Sequence, residues 1–118
     1  MLLPRLPRFC APLLFLAVLL AGFILALLPA PESVDLAHHR DKLIHAVAFT
    51  GFALLGFALC PAHPVQVTLG LVCYALATEV AQHFTAWRSG DVLDFLADIA
   101  GIALAVGLRQ LWQLLRKD

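Results

Sequence analysis

His45, Glu79, Gln82, Asp94 and Asp98 are the side chains that could do chemistry, and each lies inside an otherwise apolar segment. Imidazole and carboxylate together can exchange protons with a substrate or ligate a cation. Lys42 and Arg88 stand beside them in sequence, and an ammonium or a guanidinium is the natural donor to a phosphate or carboxylate. The spacing groups them further. Asp41 and His45 are one helical turn apart, on a face that continues through Ala48, Phe49, Phe52 and Gly56. Glu79 shares a face with Gln82 and His83, and Asp91, Asp94 and Asp98 run on into Gly101 and Ala105.

Those stripes need elements to carry them. The chain has 118 residues, 62% hydrophobic and 14% charged, against roughly 45–50% and 25% in soluble domains. That composition predicts an all-α, four-helix transmembrane bundle forming a single membrane domain over 1–118. A spanning helix needs roughly 20 mainly apolar residues. The spans are expected at about 12–28, 43–60, 65–84 and 91–112. Leu43 to Thr78 holds no Asp, Glu, Lys or Arg, and Pro61 and Pro64 divide it. Pro29 to Lys42 and Thr85 to Gly90 read as polar connections, and Gln113 to Asp118 as a polar tail. The uncharged stretch from Phe9 to Pro31 is longer than a signal-peptide core, so it is expected to stay as a span.

Threading puts the acidic ends of three spans on one membrane face. Glu79 and Asp98 would sit on the order of 7–10 Å below it, at 1.5 Å of rise per residue. Arg5, Arg8, Arg109, Arg116 and Lys117 fall on the side of the termini, and Arg40, Lys42 and Arg88 on the other. The cation excess predicts cytoplasmic termini, with the polar ends facing out. Zero net charge gives no general attraction to nucleic acid or to anionic lipid. Cys10, Cys60 and Cys73 have no paired spacing and read as small packing residues.

Plainer roles compete with each of these assignments. Lys42 and Arg88 could be interfacial anchors, with Trp87 and Trp112 as an aromatic belt. His38 and His39 read as solvated loop residues, and His63 as part of a turn. Glu79, Asp94 and Asp98 could knit helices together and nothing more. A metal is not expected: no HExxH pair is present, and Lys42 and Arg88 would compete for the carboxylates. No other cofactor is implied.

The segment Asp41-Lys42-Leu43-Ile44-His45 resembles the opening motif of VanZ-like membrane proteins. The later run, with Glu79 and Gln82 before a helix end and then Arg88, Asp91, Asp94, Asp98 and Gly101, resembles that family's second signature. The likeness covers about 41–105, with one departure: Asp98 stands where the family usually carries Asn. A carboxyl at that depth calls for protonation or for a cation such as Arg88 or Lys42. The resemblance implies a small integral membrane protein of the cell envelope and a link to resistance to the glycopeptide teicoplanin. It implies no particular reaction.

The expectation is an outward pocket made by Asp41, Lys42, His45, Glu79, Gln82, Arg88, Asp91, Asp94 and Asp98. It would bind a lipid or cell-envelope precursor headgroup, or an amphiphilic drug. The alternative is a membrane hydrolase or transferase acting on a lipid-linked substrate. There Glu79 and His45 would share the acid–base work and water would attack, since Ser89 is the only Ser or Cys at hand. An ion pathway ranks last, because the inner halves of the spans offer almost no polar groups.

Overall fold

The computed structural model describes residues 10–28, 37–85 and 92–117, without the side chains of 37–41. Within them the chain is all-helical: α1 (Cys10–Leu27), α2 (Ala37–Leu59), α3 (Pro64–His83) and α4 (Val92–Arg116). No strand occurs among the described residues. Cys10–Leu27, Lys42–Leu59 and Pro64–His83 are long and apolar enough to cross a membrane. α4 is long enough too, but Asp94, Asp98, Arg109 and Arg116 interrupt its apolar character.

The connection between α2 and α3 follows from its prolines. α2 stops before Pro61, and Pro64 opens α3, where its missing N–H costs nothing. The Cys60 amide donates to Gly56 O at 2.8 Å and the His63 amide to Cys60 O at 3.1 Å, closing the turn. At the far end of α3 the Phe84 amide reaches Ala81 O, and the Thr85 hydroxyl donates to Gln82 O at 2.8 Å.

Three differences from the sequence reading have physical causes. α2 begins at Ala37, so His38, His39, Arg40 and Asp41 belong to a helix, not a loop. Hydropathy marks where a span enters apolar surroundings, and a helix can start well before that point. α4 likewise runs four residues beyond Trp112, through Gln113 to Arg116. Cys10 and Cys73 are exposed, so they fill no core space, while Cys60 is half-buried against the core.

The apolar core holds Phe15, Phe49, Ala53, Phe57, Val67, Leu71, Ala75, Ile102 and Ala105. α2 sits at its centre and packs most extensively on α4. Gly101 permits this: a Cβ there would run into Ala46 O and lie 3.1 Å from Thr50 N. The Thr50 hydroxyl bridges the same point, within reach of Ala46 O at 2.8 Å and Gly101 O at 3.1 Å. The outer surface is the reverse of a soluble protein's. Leu13, Leu16, Leu20, Leu43, Val65, Leu69, Leu96 and Leu104 are exposed, while Thr78, Glu79, Gln82, Asp94 and Asp98 are buried.

The close approach at Gly101 predicts an asymmetry between two α4 glycines. Gly101→Ala forces α2 and α4 apart and should cost roughly 1–3 kcal/mol. Gly107→Ala meets nothing within 4 Å, and should be neutral or stabilise by up to about 1 kcal/mol. Unfolding of both variants in detergent measures the difference.

Candidate functional site

Two cross-links join α2 to α4 at one end of the bundle. Lys42 Nζ lies 3.3 Å from Asp94 Oδ1, and His45 Nδ1 lies 2.7 Å from Asp98 Oδ1. The sequence separations are 52 and 53 residues, and 51 for the Thr50–Gly101 contact below them. A near-constant separation means that the two helices run parallel in one register. Lys42 and His45 are spaced to meet Asp94 and Asp98, so each acid finds its own partner.

α3 brings the third group. Glu79 is 8% exposed, Gln82 2%, Asp94 6% and Asp98 0%. One ligand atom each from His45, Glu79 and Asp98 lies within 4.8 Å of the others. That spacing would admit a divalent ion after a small contraction, since metal–ligand bonds near 2.0–2.2 Å set ligand atoms roughly 3–3.5 Å apart. These three residues are the ones that could hold it. They can also act as a hydrogen-bonded acid–base group, with Asp98 fixing the ring through Nδ1.

Beside this group lies a cleft of about 280 Å³ between α1, α2 and α3. His45 and Gln82 give it a polar end, and Phe49, Phe52, Tyr74 and Leu25 line its apolar length. α1 reaches the cleft because Gly22 leaves room; a Cβ there would be 2.9 Å from Phe52 Cζ and 3.0 Å from the Tyr74 hydroxyl. α3 then ties α1 down. Tyr74 donates to Leu19 O at 2.6 Å, and Gln82 donates to Ala26 O at 2.8 Å. Ala26 is in the last turn of α1, where the carbonyl lacks an intrahelical donor. Gln82 is therefore a cap as well as a pocket wall.

The structure thus brings together Lys42, His45, Glu79, Gln82, Asp94 and Asp98. His83, expected on the same face as Glu79, is exposed. Arg88 and Asp91 lie outside the described residues, as does the side chain of Asp41. Asp98 pairs with His45, while Lys42 takes Asp94. Tyr74 and Thr78 were missed as cleft residues. Their signal was available: Tyr74, Thr78 and Gln82 recur every four positions, and Tyr74 is the only tyrosine in the chain.

No family model matches the chain, and neither the curated proteins nor the solved structures contain a match to it.

The two α3-to-α1 hydrogen bonds predict a local effect. Tyr74→Phe and Gln82→Leu should each cost about 0.6 kcal/mol, and at most about 1.7, the range of intramembrane hydrogen bonds. Hydrogen exchange should quicken in α1 and leave α2 and α4 unchanged. Equal quickening in all four helices would show that these side chains do more than anchor α1.

Proposed function

We propose that this chain is a VanZ-like integral membrane protein that crosses a bacterial inner membrane four times, with both termini in the cytoplasm. Its outward end binds the headgroup of a cell-envelope lipid or precursor, or of an amphiphilic drug, and this binding underlies a link to glycopeptide resistance. The carrying observation is the cleft, which is polar at His45 and Gln82 and mainly apolar along the rest, with Phe49, Phe52 and Tyr74 among its walls. An amphiphile has that same division. Lys42, held beside Asp94, supplies positive charge for a phosphate or carboxylate, and Arg88 adds a guanidinium.

Energetics favour a role beyond packing. A charged residue deep in a span costs roughly 2.5–3.5 kcal/mol on insertion scales, whereas an intramembrane hydrogen bond returns about 0.6 on average. A cluster holding Glu79, Asp94 and Asp98 is therefore a poor way to gain stability alone.

A catalytic reading has an observation of its own, the 2.7 Å contact that orients His45 on Asp98 with Glu79 nearby. In that reading His45 and Glu79 activate water against a lipid-linked substrate. One comparison separates the two. Binding alone needs the cations, so Lys42→Ala and Arg88→Ala should abolish teicoplanin protection in a deletion host, while Glu79→Gln stays mild. Catalysis through Glu79 should make Glu79→Gln lose about 10²–10⁴-fold in rate. Immunoblots of the membrane fraction hold protein level constant. Protection lost in Glu79→Gln at normal level would favour the enzyme.

A further inference from the structure

The opposite end of the bundle carries a second groove, of about 540 Å³, between the C-terminal parts of α2 and α4. Leu54, Phe57 and Leu108 form apolar walls, and Arg109, Trp112 and Arg116 stand along α4. Arg109 and Arg116 are two helical turns apart and so project on one face. Each guanidinium is steadied by an aromatic ring: Arg109 Cζ lies 5.4 Å from the Phe57 centroid, and Arg116 Cζ 5.9 Å from that of Trp112. No acidic side chain lines the groove, and neither arginine has an ion-pair partner among the described residues. The acids of the bundle that are described in α2, α3 and α4 all gather at the other end.

From this arrangement we infer that the groove between α2 and α4 is a site for an anionic glycerophospholipid of the leaflet around the helix C-termini. The phosphodiester lies against Arg109 and Arg116, and an acyl chain runs along Leu54, Phe57 and Leu108. Charge complementarity selects this occupant. Two ring-backed guanidinium groups beside an apolar wall match a phosphate joined to a hydrocarbon chain, and planar guanidinium binds phosphate in a bidentate manner. A basic pocket between helices on the cytoplasmic side is the physical form that such recognition takes. Trp112, exposed between the arginines in sequence, has the amphipathic ring favoured at the interface itself. The inference rests on the chain being a membrane protein and is independent of what the outward pocket binds.

Native mass spectrometry of the full chain, released from detergent micelles, tests it. Phosphatidylglycerol and phosphatidylcholine with identical acyl chains are titrated in separate samples. Phosphatidylglycerol should be retained preferentially. Arg109→Gln and Arg116→Gln should each weaken that retention about fivefold, and together about 30-fold. The double lysine variant should recover part of it, because charge returns without the bidentate, ring-backed geometry, and that partial recovery separates lost charge from lost fold. Equal retention of both lipids by the unaltered chain, or undiminished phosphatidylglycerol in the double glutamine variant, would overturn the site. Displacement of the lipid by inorganic phosphate at equal concentration would overturn it too, since the acyl wall would then contribute nothing. Recovery of the chain in the soluble fraction without detergent would instead defeat the membrane reading.

Discussion

Buried carboxylates in an otherwise apolar bundle must be given partners, and pairing α2 with α4 is how this chain provides them. Asp98 has no exposed surface and lies 2.7 Å from His45, with the Lys42–Asp94 pair one turn nearer the helix ends. Both contacts demand one register of two parallel helices. Gly101 makes that register attainable by letting α4 meet the backbone of α2 at Ala46 and Thr50. Below that point the helices are joined by apolar packing of Ala53, Phe57, Ile102 and Ala105, which tolerates sliding far better than hydrogen bonds do. The polar end therefore sets the alignment, and the rest of the interface follows it.

α3 and α1 are arranged around that pair. α3 adds Glu79 to the buried group and uses Tyr74 and Gln82 to hold two α1 carbonyls. α1 packs on α2 and α3 and buries little besides Phe15. The cleft lies where this lightly held helix meets the bundle, next to His45. No α4 residue lines that cleft. Among the described residues, the carboxylates gather at one end of the bundle, and Arg109 and Arg116 stand at the other.

Much of this was legible in the chain itself. The i, i+4 and i+3 spacing of Asp94, Asp98, Gly101 and Ala105 identified the buried stripe of α4, because burial of small and polar residues on one helix face has a period that sequence records. The split at Pro61 and Pro64 was equally plain. Partner choice was not: whether Asp98 meets Lys42, Arg88 or His45 depends on the offset between two helices, which neither encodes alone. The same limit applies to His83. It shares a helical quadrant with Glu79 and Gln82, and only the place where α2 and α4 sit decides that it faces outward. The start of α2 at Ala37 escaped because polarity and helicity are separate properties.

The His45–Asp98 contact can be measured directly in the unaltered protein, with a substitution needed only for assignment. Protein labelled with ¹⁵N at histidine rings and ¹³C at aspartate carboxyls, reconstituted in lipid bilayers, is suited to dipolar-recoupling solid-state NMR. A His45→Asn sample assigns the signal. A contact of 2.7 Å between Nδ1 and Oδ1 predicts strong dephasing of the His45 ring nitrogen by the Asp98 carboxyl carbon. A His45 ring that dephases no more than an isolated imidazole would contradict the register of α2 against α4 and the site built upon it.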